Sequence, residues 1–318
     1  ASYDPKDRIP NNTNFVITYQ SANSVSPLNT FATDDYFGYL DENEGLLQGD
    51  LIDIGIGRLP AKTSSEANNM VDKIINYSSR ESMGEWRNIS SFIADDGDDS
   101  DGNIHMIQAE SLANIVDDNY NNFNFDKFYV DAYNQESTPI GQRSPDCRNA
   151  ITRRVEKGSL LVNYTGHGGE KGLTSERIIE VDQILDWKNY NQLALFVTAT
   201  CEFGRFDNPE LTSGGEYIIL NPEGGGVALL TTTRYVYSHL NYTLNTHFIN
   251  SLFEKENGEI PTLGDVFRKT KILSGTSINS NKFTLLGDPM MCLAFPKYNV
   301  KTTVFPDTLN VLGKVSFH

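Results

Sequence analysis

The strongest constraint on the fold is an alternation of apolar runs with polar, helix-like segments that starts near residue 88. Five runs have the near-continuous apolar composition of strands buried on both faces: SFIAD (91–95), FYVDAY (128–133), LLVNYTG (160–166), LALFVTAT (193–200) and GVALLTTT (226–233). Strands that alternate with helices are joined in parallel by right-handed crossovers. The sequence therefore predicts an α/β fold in which helices cover both faces of a mostly parallel sheet, an α/β/α sandwich.

One of the intervening segments carries helix signals at both ends. Pro145 takes the first helical position, and Ser144 precedes it as a candidate cap. Lys157 falls in the last turn, and Gly158 follows it. Proline at the start, basic residues in the last turn and glycine just beyond are typical of helix termini. We therefore expect a helix between these signals.

The first 86 residues have a different pattern, which predicts a smaller subdomain. Two strand candidates are NFVITYQ (14–20) and LIDIGIGRLP (51–60). A capping box formed by Thr63 and Glu66 then predicts the start of a helix. We interpret residues 1–86 as a partial α/β subdomain whose earlier part is expected upstream of this sequence.

The rest of the sequence divides into the sandwich and a tail. Residues 87–297 contain all five buried strand candidates. Residues 298–318 include KTTVF (301–305) and have alternating strand character, so we expect them to begin a following β-domain. The sequence has no run of about 18 apolar residues. Its opening, ASYDPKDR, lacks the features of a signal peptide, so an export signal is expected upstream.

Charge and cysteine content argue against several classes of function. The formal net charge of −16 disfavours a nucleic-acid partner, because a phosphate backbone is bound by clustered lysines and arginines. The three cysteines are too few and too scattered for a disulfide framework. Cys147 falls in a predicted helix, and Cys292 is expected to pack in the core. No G-x-G-x-x-G or Walker sequence follows a predicted strand, which disfavours a nucleotide-binding domain.

A histidine and a cysteine follow two consecutive predicted strands. His167 comes after LLVNYTG and Cys201 after LALFVTAT, 34 residues apart, which is about the length of one βαβ unit. A right-handed crossover would place both side chains at the carboxyl edge of the sheet, where open α/β sheets form their sites. Taken singly, such a cysteine is usually an inert core residue and such a histidine part of a polar turn. Their matching positions favour a shared site.

A thiol beside an imidazole is suited to acyl transfer. Cys201 would attack a carbonyl carbon, and His167 would act as general acid and base. The backbone N–H groups of Gly168 and Cys201 are the candidate donors to the oxyanion, since a glycine leaves its N–H accessible. The residues thus predict acyl transfer through a thioester acyl-enzyme. A peptide-recognition module of the same fold that does not cleave is the alternative.

The two segments that carry these residues resemble the gingipain-like cysteine peptidases: NYTGHGG (163–169) and TATCEFGRFDNP (198–209). Four further stretches resemble the sortases of the bacterial type IX secretion system within that family: TDDYFGYLD (33–41), DIGIGRLPAKT (53–63), GGGVALLTTTR (224–234) and KFTLLGDPM (282–290). The resemblance implies a caspase-like fold for the sandwich. It also implies a catalytic nucleophile at Cys201 with His167 beside it.

The same resemblance implies where and on what the protein acts. It points to an endopeptidase and sortase at the cell surface, associated with the outer membrane of a Bacteroidetes-type bacterium. Its substrates would be proteins that carry a C-terminal sorting domain, cleaved through a thioester acyl-enzyme, and its partners the outer-membrane components of type IX secretion. The acyl group would pass to water or to an amine of anionic lipopolysaccharide, and this choice stays open. No cofactor is required for the reaction, with calcium open as a structural ion.

Members of the family carry an acidic residue that orients the histidine, and its counterpart falls in the loop ADDGDDSDGNIH (94–105). Asp101 is the preferred orienter and Asp99 the alternative, and a Cys/His dyad without a third member also stays open. The same loop is a candidate calcium site at Asp96, Asp98 and Asp99, because clustered carboxylates repel one another unless a cation screens them. Its spacing does not fit an EF-hand, so a solvated acidic loop is the other interpretation.

Substrate contacts are expected from loops that follow neighbouring strands, because adjacent strand ends border the same cleft. Thr233, Arg234 and Tyr235 come from the loop after GVALLTTT, and Glu202 directly follows the candidate nucleophile. Glu202 and Arg205 are expected either to shape the cleft or to pair with each other. No carboxylate stands out as a selector for a basic side chain, so specificity for Arg or Lys is not expected.

Overall fold

The computed structural model describes residues 17–21, 26, 28–45, 49–98, 101–120, 122–256, 258–296, 302–305, 308 and 316–317. Its α-helices are α1 (Ser64–Tyr77), α2 (Ile104–Asn119), α3 (Pro145–Lys157), α4 (Val181–Asp186), α5 (Gly214–Leu220), α6 (Ser238–Phe253) and α7 (Leu263–Ser274). Its strands are β1 (Tyr19–Gln20), β2 (Ala32–Thr33), β3 (Ile89–Ala94), β4 (Asn124–Tyr129), β5 (Glu136–Thr138), β6 (Gly141–Arg143), β7 (Leu161–Thr165), β8 (Gly168–Gly169), β9 (Gly172–Leu173), β10 (Ile179–Glu180), β11 (Ala194–Ala199), β12 (Gly226–Thr232), β13 (Phe283–Leu286), β14 (Val304–Phe305) and β15 (Ser316–Phe317).

The central sheet has six strands in the order β13-β12-β11-β7-β3-β4. Neighbours from β12 to β4 run parallel, and β13 lies antiparallel at one edge. Every residue of β7, β11 and β12 is buried, which explains why these strands read as almost continuous apolar runs. The predicted, mostly parallel sheet is confirmed.

Helices cover both faces of this sheet. On one face, α2, α6 and α7 contribute Leu112, Phe248 and Phe267 to a buried core. On the other face, α3 and α5 contribute Ile151 and Ile218 to a second core, which α1 and α4 also join. Each such side chain stabilises the fold by about 1.5–3 kcal/mol relative to exposure. The three layers are those of the predicted α/β/α sandwich.

Helix termini follow the sequence signals closely. The helix α3 begins at Pro145 and ends before Gly158, which has a positive φ of 83°. Ser144 does not cap it, because its hydroxyl donates to Asn134 O instead, at 3.2 Å. The capping box of α1 is present: Glu66 N–H donates to Thr63 Oγ1 at 3.2 Å, and the Glu66 carboxylate accepts from Thr63 N–H at 2.9 Å.

The strand prediction for residues 51–60 is wrong. This segment forms a single parallel bridge, between Arg58 and Leu286, and no continuous ladder. A Cβ on Gly55 would lie 2.3 Å from the backbone carbon of Gly264, so the segment is pressed directly against the start of α7. Gly55 allows this close approach, because a side chain at that position would collide with the backbone of α7.

Two other strand boundaries differ from the prediction. The run at 128–133 is split, because β4 ends at Tyr129 and a 3-10 turn over Val130–Ala132 follows. Of the candidate at 14–20, the structure assigns Tyr19 and Gln20 to β1, and residues 14–16 lie outside the described residues.

Few residues of the C-terminal tail are described, whereas the N-terminal part of the chain packs on the sandwich. In the tail, β14 pairs antiparallel with β15, and most other residues of 298–318 lie outside the described residues. Near the other end, α1 packs against α5 and β12 of the sandwich. The division at residues 86 and 297 stays a prediction.

No helix in the described part of the chain combines the length and apolar character needed to cross a membrane.

Candidate active site

The candidate histidine and cysteine occupy equivalent positions after two neighbouring strands. In the parallel ladder of β7 and β11, the last residues, Thr165 and Ala199, are partners in register. His167 and Cys201 each lie two residues beyond this pair. Both therefore emerge at the carboxyl edge of the sheet, on adjacent strands, as their spacing predicts.

The backbone of His167 is fixed by the strand beside it. Its N–H donates to Asp95 Oδ2 at 2.7 Å, its carbonyl accepts from Thr174 N–H at 3.0 Å, and the Tyr164 hydroxyl donates to the same carbonyl. Asp95 is 3% exposed, and burial raises the pKa of its carboxyl group to about 7, opposed by the His167 N–H. These contacts hold the turn while the ring itself stays exposed to solvent.

The imidazole of His167 faces the acidic loop before α2. Its Nε2 lies 3.1 Å from Asp101 Oδ2 and 3.7 Å from Asp98 Oδ2. Asp101 thus stands where an orienting carboxylate is needed, and the other ring nitrogen, Nδ1, is left for a thiol or substrate. The alternative orienter, Asp99, lies outside the described residues. The role of Asp101 stays a prediction that this geometry supports.

The thiol of Cys201 is partly buried. Its Sγ donates to the carbonyl of Val236 at 3.8 Å. Burial raises the pKa of this thiol, and the charge of Glu202 adds to the rise while the ammonium of Lys282 opposes it. The thiol is therefore protonated at neutral pH, and a nucleophilic role requires a base to remove its proton.

Lys282 is a neighbour of the thiol that sequence reasoning missed. Its ammonium is buried and donates to Leu28 O at 2.8 Å and to Tyr235 O at 2.6 Å. Burial lowers its pKa to about 8, and the Cys201 thiolate opposes that shift. Lys282 stands at the start of KFTLLGDPM, directly before β13, so its proximity depends on a strand that pairs with β12 from far along the chain.

The loop after Cys201 is held by an ion-pair chain. Glu202 adopts a positive φ of 53°, and its carboxylate lies 3.3 Å from Arg205 Nη1. Arg205 Nε in turn lies 3.3 Å from Glu170 Oε1, in the hairpin that follows His167. Glu202 and Arg205 pair with each other, as one of the two sequence interpretations has it. A substrate contact by Glu202 stays a prediction.

The three residues proposed from the loop after β12 differ in exposure. Thr233 is fully buried, and its hydroxyl donates to Ala32 O at 2.8 Å. Arg234 is 1% exposed and binds Asp207 through two hydrogen bonds of 2.8 and 2.6 Å. Tyr235 is 40% exposed. Substrate contact stays a prediction for all three, and only the Tyr235 side chain is open to a ligand in this conformation.

A cavity of about 470 Å³ opens beside this loop. Tyr237, Leu240, Ile278 and Lys282 line part of it, and the described lining residues include no carboxylate. A larger cavity, about 760 Å³, lies at the amino ends of β3 and β4, beside Asn88. It is on the edge of the sheet opposite the thiol, so the smaller cavity is the candidate for a substrate side chain.

The calcium site expected at Asp96, Asp98 and Asp99 stays a prediction, and the described residues group one of its members with other carboxylates. Asp96 instead groups with Asp95 and Glu176, with ligand oxygens within 4.8 Å of one another. Asp98 faces His167, and Asp99 is outside the described residues. Glu176 is 5% exposed, and its Oε2 has no hydrogen-bond partner among the described residues. A buried, unpaired carboxylate oxygen beside two more carboxylates fits a hard cation.

The other two cysteines differ in their exposure to solvent. Cys147 is fully buried in α3. Cys292 is exposed, so the prediction that it packs in the core is wrong. Its neighbours Met291 and Leu293 are 7% and 2% exposed. In an extended segment alternate side chains point to opposite faces, so these two neighbours turn Cys292 outward.

Comparison with known proteins is consistent with this architecture. The model of peptidase family C25 matches residues 1–294. The crystal structure of the Arg-specific cysteine proteinase gingipain R has a TM-score of 0.68 and 20% identity, covering 86% of this chain and 62% of that one. The complex of Porphyromonas gingivalis RgpB pro- and mature domains has a TM-score of 0.66 and 19% identity, covering 86% and 63%.

A further protease structure has a TM-score of 0.65 and 16% identity, covering 89% of this chain and 64% of that one. The chain therefore spans less than two thirds of the length of each of these proteins. At such identities the likeness shows the fold, which is gingipain-like and caspase-like. No protein with a curated description matches the sequence significantly.

Proposed function

The chain belongs to peptidase family C25, the gingipain family of cysteine peptidases, and on that premise we propose that it is a sortase of the PorU type. In this role it cleaves the C-terminal sorting domain from type IX secretion cargo through a thioester acyl-enzyme. One observation carries the proposal: His167 and Cys201 leave adjacent parallel strands at matching register. Asp101 at His167 Nε2 adds the orienting carboxylate.

The first chemical step is attack by sulfur on the scissile carbonyl. His167 Nδ1 accepts the proton of the Cys201 thiol, and the resulting thiolate forms a bond to the carbonyl carbon. The ammonium of Lys282 stabilises the thiolate, since it opposes the effect of burial on the thiol pKa. The carbonyl π electrons move onto oxygen, which becomes an oxyanion.

Gly168 is suited to stabilise that oxyanion. In the β8–β9 hairpin the ladder bond runs from Thr174 N–H to His167 O, so Gly168 and Leu173 form a non-hydrogen-bonded pair. The N–H groups of such a pair point away from the partner strand, which leaves Gly168 N–H to a ligand. A Cβ at Gly168 would lie 2.6 Å from Thr200 Oγ1, so the position requires glycine. Cys201 N–H is the second proposed donor.

Collapse of the tetrahedral adduct completes the acyl transfer. The oxyanion electrons re-form the carbonyl, the C–N bond breaks, and the His167 imidazolium gives its proton to the departing amine. A thioester on Cys201 remains. Water or a lipopolysaccharide amine then attacks this thioester, with His167 removing the proton of the incoming nucleophile. Thiolate leaves, and the carboxylic acid or amide is released.

The proposed location follows from the family resemblance. The protein acts at the cell surface in association with the outer membrane, where components of the type IX secretion system deliver its cargo. Its substrate side chain is neutral in this proposal, because the described lining of the smaller cavity has no carboxylate to pair with Arg or Lys. The Arg specificity in the name of gingipain R is therefore not extended to this chain.

A peptide-recognition module without catalysis is the second candidate. The observation that favours it is the protonated, partly buried state of the Cys201 thiol, which is ordinary for an idle cysteine. Such a module would bind a sorting domain in the same cleft and release it unchanged.

Product analysis separates the two candidates. Incubation with a protein that ends in a sorting domain is expected to release that domain, detected by mass spectrometry. Added amine nucleophile is expected to appear in the new C-terminus if transfer competes with hydrolysis. Measurable binding of the same substrate without any new terminus after prolonged incubation would establish the recognition module.

Calcium is proposed as a structural ion at Asp95, Asp96 and Glu176. At a concentration about 100 times its Kd, a bound ion contributes about 2.7 kcal/mol, which raises Tm by about 5 °C. We expect that rise in a thermal melt when Ca²⁺ replaces EGTA. Glu176→Gln is expected to lose the response and Asp72→Asn, at an exposed position of α1, to keep it. An equal rise in Glu176→Gln would place the ion at another site.

A further inference from the structure

A second cluster of ligating groups surrounds the far side of the His167 ring. Asp101 Oδ2 lies 2.9 Å from His105 Nε2 and 3.1 Å from His167 Nε2. The two rings meet edge to face, with centroids 5.0 Å apart. Asp98 Oδ2 lies 3.7 Å from His167 Nε2. Two imidazole nitrogens and a carboxylate oxygen therefore converge on one point, with a second carboxylate at its margin.

The separations of these atoms are those of metal ligands. Zn–N bonds are about 2.0–2.1 Å and Zn–O bonds about 2.0–2.2 Å, so adjacent ligands of a tetrahedral zinc ion are about 3.3–3.5 Å apart. The observed separations, from 2.9 to 3.7 Å, lie on both sides of that value. Shifts of a few tenths of an ångström in these side chains would admit an ion.

His105 gives an independent indication of a ligand. It lies in the first turn of α2 and is 5% exposed, yet neither ring nitrogen meets hydrogen-bond geometry with a described residue. Its Nε2 is close to Asp101 Oδ2 but not aligned with it for a hydrogen bond. A buried polar group without an aligned partner is uncommon in proteins. His105 Nε2 is therefore a buried polar atom at the edge of the cluster that lacks an aligned partner among the described residues.

We propose that Asp101, His105 and His167 bind a divalent transition-metal ion of the zinc class, and that this ion keeps the peptidase inactive. Imidazole nitrogens with a carboxylate suit Zn²⁺, whereas Ca²⁺ and Mg²⁺ prefer oxygen ligands. The inactivation rests on the proposed function of His167. The binding of the ion is independent of that function.

Inactivation follows from the chemistry of the imidazole. A metal on Nε2 uses the electron pair of that nitrogen, so the single proton of the neutral ring resides on Nδ1. Nδ1 then has no free electron pair to accept the Cys201 proton. Asp101 is occupied by the same ion and no longer orients the ring. Removal of the ion restores both groups, so the site acts as a reversible metal-dependent switch.

Zinc binding is tested without any substrate. The protein is stripped with EDTA, dialysed and titrated with Zn²⁺ against a chromophoric zinc indicator. One Zn²⁺ per chain is expected to bind, and millimolar Ca²⁺ or Mg²⁺ is expected not to displace it. His105→Asn and Asp101→Asn are each expected to weaken binding at least tenfold, and circular dichroism shows whether each variant is folded. Asp101 is partly exposed, so Asp101→Asn decides the result if His105→Asn does not fold.

Two matched variants locate the ion. His239→Asn removes an exposed histidine on α6, and Cys201→Ala removes the thiol; both are expected to keep the wild-type Kd within twofold. Cobalt substitution is expected to give the visible bands of four-coordinate Co²⁺ without a thiolate charge-transfer band. Wild-type affinity in both His105→Asn and Asp101→Asn, or loss of affinity in Cys201→Ala, would overturn the site.

A second measurement keeps this proposal separate from the proposed function. Zn²⁺ is expected to slow labelling of Cys201 by a peptide electrophile at least tenfold, and EDTA to restore the rate. If zinc binds as described but unliganded protein is never labelled, the peptidase function fails and the metal site stands. If labelling occurs but bound zinc does not slow it, the inhibitory role of the ion is wrong.

Discussion

Replacement of Cys201 with alanine is expected to abolish cleavage of a peptide substrate and labelling by a peptide electrophile. The loss should be on the order of 10³-fold or more, because in the proposed reaction the sulfur forms the covalent intermediate. Cleavage is followed by mass spectrometry of the products, and labelling by the mass of the intact protein. The thiol is half-buried against Val236 O, so the folded structure should tolerate the loss of sulfur.

The other two cysteines provide the controls. Burial raises the pKa of Cys147 to about 12, so it is unreactive, and Cys147→Ala should keep both activities. Cys292 is exposed and therefore accessible to alkylating reagents, so labelling is measured in a Cys292→Ala background. A peptide electrophile that still modifies the protein after Cys201→Ala would show that Cys201 is not the nucleophile.

Breaking the buried pair of Arg234 and Asp207 is expected to cost about 3–5 kcal/mol of stability. Both side chains are at most 2% exposed, and two hydrogen bonds join them. Arg234→Met leaves the Asp207 carboxylate buried without its cation, although Gln20 also donates to it. Urea denaturation, followed by circular dichroism, gives the change in the free energy of unfolding.

An exposed ion pair serves as the control for the stability cost of losing the buried pair. Arg148 and Asp182 lie 3.1 Å apart, with Asp182 73% exposed, and Asp182→Ala should cost less than about 1 kcal/mol. The double variant Arg234→Met/Asp207→Leu should recover part of the loss, because it removes both buried charges. A cost below about 1 kcal/mol for Arg234→Met alone would show that the buried pair contributes little.

Local patterns predicted the parts of the fold that depend on neighbours in the chain. Pro145 and Gly158 mark the two ends of α3 because helix termini select these residues for backbone reasons. The buried strands of the sheet centre were recognisable because both of their faces need apolar side chains. The shared edge of His167 and Cys201 followed from the handedness of the crossover, which is nearly invariant in such sheets.

Long-range contacts account for what the sequence did not predict. Isoleucines at every second position give residues 51–60 the appearance of a strand. Gly55 in this segment instead meets Gly264, about two hundred residues away. Lys282 reaches the thiol only because β13 pairs with β12. His105 joins the site because the start of α2 faces the turn after β7. None of these contacts between distant residues can be recognised from a local sequence pattern.

The register between β7 and β11 has a consequence for how such an enzyme can diversify. The spacing of the reacting atoms is set by a ladder in the dry interior, whereas the chain between the two strands makes its turns at the surface. Surface loops there that do not hold His167 or Gly168 can lengthen, shorten or change sequence while sulfur and imidazole keep their places. New preferences for a peptide can then arise at the rim of the groove, and the bond-breaking apparatus is inherited intact.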